Sequence, residues 1–290
     1  MTWKQVLAGE RLKFIRGAPG QGPYVAGFEL WERKGELWGA VNAGGNGWNS
    51  ISVAGNGDVL AVGSSGKAAR RTPQGWNPET FGKWAGVSAA HWGAESWVPV
   101  TTGEIYQRKQ ETWELWSPPE LADRNTGTLW GPNPNDVWMH THSQRSGVPP
   151  DLGHWDGEKW TIHSLSRSGY VASIHGNASD NVWAVGWTVK WIGKGPLAAH
   201  WDGNAWREVK VPAAGRLTAV YVDPAGGVWI TGAKGVLLYG DGKNFTPVGA
   251  PNENLNGVYA EPGGPVWILV DGERVLESTQ PLSPLSTPQR

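Results

Sequence analysis

Apolar residues in this chain cluster in short, almost unbroken runs closed by glycine. The clearest run is Val182-Trp183-Ala184-Val185, stopped by Gly186. A second segment follows and ends in His200-Trp201-Asp202-Gly203, and a third opens at Trp206. Gly and Pro punctuate the chain, and the segments between them are short and rich in Val, Trp, Ile and Thr, the pattern of β-strands. No run of about 12 residues carries apolar positions at helical spacing. The pattern predicts an all-β chain of many short strands.

The same pieces recur along the chain. An aromatic or apolar anchor in the VWAVG-like run falls at Tyr24, Leu60, Trp97, Trp138, Trp183, Trp229 and Trp267, in steps of 36, 37, 41, 45, 46 and 38 residues. A second anchor, after the following turn, falls at Trp38, Trp76, Trp113, Trp160, Trp206 and Phe245. The first kind has seven members and the second has six. Trp3-Lys4-Gln5-Val6 supplies the seventh, because it matches Trp206-Arg207-Glu208-Val209 in type and spacing. A repeat of about 40 residues with four short strands is the signature of a propeller blade. The chain is therefore expected to form a seven-bladed β-propeller over residues 1–279, with the ring closed by strand 2–6 pairing with the last blade. A Pro/Ser-rich tail is expected over 280–290. In the fifth unit the four strands are expected at 170–174, 181–186, 196–201 and 206–209.

Composition adds to this picture. There are 42 Gly, 21 Pro and 21 Trp, and the two anchor positions, counting Trp3, account for eleven of the Trp. Large flat side chains suit the widening wedge between radial sheets. The net charge is -1 with no basic block, which argues against a nucleic-acid partner. There is no Cys, so disulfides and thiolate metal sites are excluded. No apolar segment approaches the roughly 18 residues that a bilayer span needs. The N-terminal MTWKQVLAGERLKF has no continuous apolar region of the signal-peptide kind. The chain reads as either cytoplasmic or the mature form of an exported protein, and as a monomer.

The Asn135-Asp136-Val137-Trp138 and Asn181-Val182-Trp183-Ala184-Val185-Gly186 runs, with HWDG at 154–157 and 200–203, resemble the Trp-rich propeller repeats of bacterial secreted and cell-surface proteins, common in myxobacteria. The likeness is clearest from about residue 128 to 248. It implies the fold and an extracellular, periplasmic or cell-surface setting, and no uniform activity. The unit is also similar to the Asp-box repeat of sialidase-like propellers, but here Asp and Gly are adjacent and the serine is missing, and no carboxylate-clamping arginine set is evident. Asp156-Gly157, Asp202-Gly203 and Asp241-Gly242 read as two-residue hairpin turns, not metal ligands.

Candidate functional residues are sought where the repeat breaks. In a four-stranded blade the connections from second to third strand lie on one face of the disc, with those that lead from blade to blade. Most of the second-to-third connections are tight. Two are long: His140-Thr141-His142-Ser143-Gln144-Arg145-Ser146-Gly147 in the fourth blade, and Trp187-Thr188-Val189-Lys190-Trp191-Ile192-Gly193-Lys194 in the fifth. Arg124 lies in the long connection that enters the fourth blade. The expected binding surface comprises His140, His142, Arg145, Trp187, Lys190 and Trp191, which offer imidazoles, cations and indoles. The bland alternative is that the two insertions only pack on each other.

His140 and His142, two apart in a strand, share a face and could meet one ion. No third ligand is evident beyond Asp151 or His154, so they read as solvated or hydrogen-bonded histidines, and neither metal nor cofactor is expected. A second set, Arg16, Ala54, Trp92, Trp130, His175, Tyr221 and Tyr259, occupies equivalent positions near the ends of the first strands. It reads as packing before it reads as a ring of ligand contacts at the channel mouth. No G-x-S-x-G elbow is present. The expected function is non-catalytic binding of a protein partner. A lectin-like propeller and a glycan-active enzyme are the alternatives. A lectin would repeat one polar set in every blade, and these repeats are too divergent for that.

Overall fold

The structure is a computed structural model and describes residues 1–143, 149–189 and 194–280. Its strands form seven four-stranded antiparallel sheets. These blades span residues 14–41, 48–80, 90–116, 124–164, 169–208, 217–247 and 255–278, the last completed by Trp3–Ala8. The first strands are Phe14–Ala18, Trp48–Val53, Ala90–His91, Arg124–Asn133, Gly169–Ala178, Leu217–Val222 and Leu255–Ala260. Each touches the first strand of the next blade, and Leu255–Ala260 touches Phe14–Ala18, so the ring closes around a central channel. The chain is a seven-bladed β-propeller.

Closure follows from the offset of the two anchors. Trp3–Ala8 pairs with Arg274–Ser278, with Trp3 opposite Ser278, Lys4 opposite Glu277 and Gln5 opposite Leu276. A bulge between Gln5 and Leu7 resets the register, and pairing runs on through Leu7 and Ala8. The strand therefore reaches two residues beyond the expected 2–6, because Leu7 enters the core of the seventh blade. Residues 281–290, most of the expected tail, lie outside the described residues.

Both faces of every blade are covered by neighbours, so the second strands are buried along most of their length. Val59–Gly63, Val228–Gly232 and Val266–Val270 are buried at every position. The seven first anchors all lie on second strands and are at most 3% exposed. The second anchors lie on the outer strands, where the wedge is widest, and all but Trp160 are partly exposed. Between blades 7 and 1, 1 and 2, and 2 and 3, ion pairs join third strands or reach an outer strand: Arg33–Glu277 at 3.0 Å, Arg71–Glu32 at 2.7 Å and Arg108–Glu79 at 3.1 Å.

Two local expectations are corrected. The Asp-Gly turns are four-residue loops, since Trp155 pairs with Trp160, Trp201 with Trp206 and Gly240 with Phe245. Each Asp closes its loop with its own side chain. Asp202 Oδ1 accepts the N–H groups of Asn204 and Ala205 at 3.0 Å, and Asp156 and Asp241 do the same two and three residues on. These bonds hold all three carboxyls below the usual range. The glycine that follows each Asp has φ between 87° and 95°, which a Cβ would strain.

The second correction concerns the insertions, whose described residues are strand. In blade 4 the second strand is Asp136–Ser143, and in blade 5 the second and third are Asn181–Val189 and Lys194–Trp201. Thr188 pairs with Gly195 and Val189 with Lys194, so the fifth-blade insertion is an elongated hairpin.

Candidate functional site

The HWDG histidines belong to the scaffold. His200 lies opposite Trp183 across the second and third strands and stacks on it at 4.6 Å. Its Nε2 donates to Asn181 Oδ1 at 2.9 Å, and Trp183 Nε1 donates to the same oxygen at 3.1 Å. In blade 4, His154 stacks on Trp138 at 4.0 Å and donates to Asp136 Oδ1 at 2.8 Å. The Asn or Asp two residues before the anchor Trp therefore fixes the His that covers it. Sequence spacing contained this coupling, because Asn181-x-Trp183 and Asp136-x-Trp138 each accompany an HWDG run. It engages the Nε2 of each histidine within its own blade.

The elongated strands of blades 4 and 5 build one sector of the face that carries the insertions. His140 and His142 share a strand face, with ring centroids 5.5 Å apart. They are not equivalent. His140 is 7% exposed, and burial, then the charge of His142, pushes it down to about 4, so it is a neutral core group at physiological pH. Gly127 makes room for it, since a Cβ there would lie 2.8 Å from His140 Nδ1. His142 is half-buried, its Nε2 meets Asn125 Nδ2 at 3.1 Å, and its ring edge faces Tyr170. Asp151 pairs with Arg124 and accepts Ser164 Oγ at 2.5 Å, so Asp151 is already engaged beside the histidines.

Trp187 anchors the outward part of the sector. Tyr170, opposite it in the register, stacks on its ring at 5.3 Å and is 47% exposed. The guanidinium of Arg216, in the connection entering blade 6, lies 5.4 Å from the Trp187 ring centroid. Nearby, Arg167 and Ser166 hold Glu208. Of the six expected residues, His140, His142 and Trp187 come together, with Tyr170 linking the last two. Arg145, Lys190 and Trp191 lie outside the described residues. Tyr170 and Arg216 lie outside the expected set. Extending the fifth-blade hairpin back onto its first strand would have paired Tyr170 with Trp187. Nothing in the repeat frame marked Arg216.

At the other end of the channel stands the ring of first-strand positions. Much of it is packing between blades. The Trp130 ring lies against Gly176, and Tyr259 against Gly17, where a Cβ would stand 2.6 Å from the tyrosine ring. Trp92 Nε1 donates to Gly131 O at 2.8 Å. His175 Nδ1 accepts the N–H of Val222 at 3.0 Å, and its ring packs at 4.9 Å from that of Tyr221. The ring nevertheless leaves a cavity of about 160 Å³ beside Arg16, Ala54, Trp92, Trp130 and His175.

No protein-family model and no curated protein matches the sequence. Solved structures do match. YCF48 from Cyanidioschyzon merolae superposes with a TM-score of 0.70 at 17% identity, covering 96% of this chain and 98% of that one. A structure of YCF48 bound to D1 peptide gives 0.69 at 15% identity, over 95% and 94%. A streptogramin B lyase gives 0.74 at 11% identity, over 96% and 97%. The fold is shared with all three. At such identities the likeness fixes architecture alone, and the same ring serves a peptide-bound protein and a lyase.

Proposed function

We propose that this chain is a non-catalytic binding propeller that engages a protein partner through the face formed by blades 4 and 5. The observation that carries this reading is the Tyr170–Trp187 stack, half-exposed on its Tyr170 side and flanked by Arg216. Tyr, Trp and Arg are the residues most enriched at the energetic centres of protein interfaces. The stack sits on paired strands, so a partner meets it pre-ordered. Arg145, Lys190 and Trp191 belong to the same two insertions and extend the surface in this reading. The peptide-bound YCF48 structure supports it by fold analogy. The Trp-rich repeat motif further suggests a bacterial secreted or cell-surface protein.

The half-exposed Tyr170 ring also favours a second reading, in which a sugar ring stacks on it. One pair of experiments separates the two. A photo-crosslinking amino acid at position 170 should form an adduct with a polypeptide. The same group at Leu115, exposed on the outer strand of blade 3, should not. Equal labelling at both positions, or none at 170, counts against the protein reading. Binding on a glycan array that is lost in Tyr170→Ser would favour the sugar.

A further inference from the structure

The cavity at the opposite end of the channel has an unusual charge balance. Its wall contains one cation, Arg16, and no carboxylate. Arg16 has no ion-pair partner among the described residues. Its contacts are an Nη1 donation to its neighbour's carbonyl, Ile15 O, at 3.1 Å and the Phe14 ring, 4.6 Å from Cζ. Burial lowers its pKa to about 10, which still leaves it charged at neutral pH. Arg16 is partly buried and lines the cavity, and its other donors have no partner among the described residues, so an anion entering the cavity would meet an uncompensated cation.

The groups around it are suited to receiving one. His175 Nδ1 is occupied by the Val222 N–H, so the neutral ring carries its proton on Nε2, and that donor has no partner among the described residues. Burial, then the charge of Arg16, holds this imidazole well below its usual pKa, so it donates without adding charge. Thr128 Oγ1, also in the wall, is buried without a partner among the described residues. Ala54 is the one small member of the ring of seven, and the cavity opens beside it. Trp92 and Trp130 supply flat walls.

We propose that this end of the channel is an anion site for the carboxylate of a small planar ligand, with Arg16 as its charge partner and His175 Nε2 as a second donor. A guanidinium forks onto a carboxylate or a phosphate through two parallel bonds, and the flat walls of Trp92 and Trp130 are what favour the planar anion here. About 160 Å³ is the size class that admits a benzene-sized group. The carboxylate comes either from a free small acid or from the C-terminus of a peptide. This site is on the face opposite Tyr170 and does not depend on the reading given for that surface.

The test is calorimetric titration of the full chain with acetate, benzoate, benzamide, inorganic phosphate, and Gly-Gly-Phe as free acid and as amide. Benzoate or the peptide acid should bind at one site per chain, and the matched amides should not. Binding should weaken at least about tenfold in Arg16→Gln and remain measurable in Arg16→Lys. Ala54→Leu, which fills the cavity from the neighbouring blade while leaving the Arg16 guanidinium in the chain, should abolish it and keeps the test valid if Arg16→Gln does not fold. Benzoate without the peptide acid identifies a free acid as the source, and the reverse identifies a chain terminus. Absence of carboxylate binding, preference for phosphate, or equal affinity in Arg16→Gln and Ala54→Leu would overturn the proposal.

Discussion

Removing residues 1–8 should open the ring. Leu7 is buried in the core of the seventh blade, packed among residues that include Trp267 and Leu276. Truncating a buried leucine to alanine costs about 2–5 kcal/mol. Leu7→Ala alone should therefore lower stability by about 3 kcal/mol. Deletion should cost more, because it also removes half-buried Trp3, its 2.8 Å bond to Gly249 O, and the ladder that covers Arg274–Ser278. For a chain of this size each kcal/mol moves the melting temperature by about 2–4 °C, so the deletion should lower Tm by about 10 °C or more. Differential scanning calorimetry of the wild type, Leu7→Ala and the deletion variant measures this. A synthetic peptide of residues 1–9 should restore part of the loss. Unchanged melting after deletion would refute the closure argument.

Other consequences follow from the same contacts. His140 and His91 are held at about 4 by burial, against 6.5 when unfolded. Between those values the unfolded chain binds more protons, so stability falls as pH drops from 6.5 to 4, by up to about 3 kcal/mol for each. In chemical denaturation across that range, His140→Gln should flatten the dependence; an unaltered slope would show that His140 is not the buried neutral group described. His200→Ala, which removes the ring over Trp183 and the bond to Asn181, should cost about 1–2 kcal/mol by urea denaturation. Gly17→Ala drives a Cβ to 2.6 Å from Tyr259 and should destabilise by about 1–3 kcal/mol. Tyr259→Phe should be neutral or stabilising, because the buried hydroxyl has no partner among the described residues.

The architecture was legible because it is periodic. Seven buried anchors and one displaced outer strand, Trp3 to Val6, are a counting result, and ring closure is what reconciles the two counts. The exceptions to the repeat are legible in the sequence, but their shape is not. Thr141, His142, Thr188 and Val189 fall, in sequence, in the two long second-to-third connections. They are strand residues because a hairpin can lengthen beyond the blade while its backbone stays paired. His140 was placed on a surface, yet Gly127 on the neighbouring strand lets it sink. Tyr170 and Arg216 escaped because each lies far along the chain from the insertion it meets, in a connection or strand start that the repeat does not single out. The channel ring was assigned to packing, which explains Trp130, His175 and Tyr259. It does not explain Arg16, whose missing counter-charge is visible only once the wall around it is assembled.

The most direct test is the affinity of the partner captured at position 170. Purified and titrated against the wild-type chain and Tyr170→Ser, it should bind the variant about thirtyfold more weakly, the loss expected for an interface centre worth about 2 kcal/mol. Leu115→Ser, on the outer strand of blade 3, should match the wild type. An affinity for Tyr170→Ser within twofold of wild type, with the fold intact by calorimetry, would contradict the assignment of this face as the binding surface.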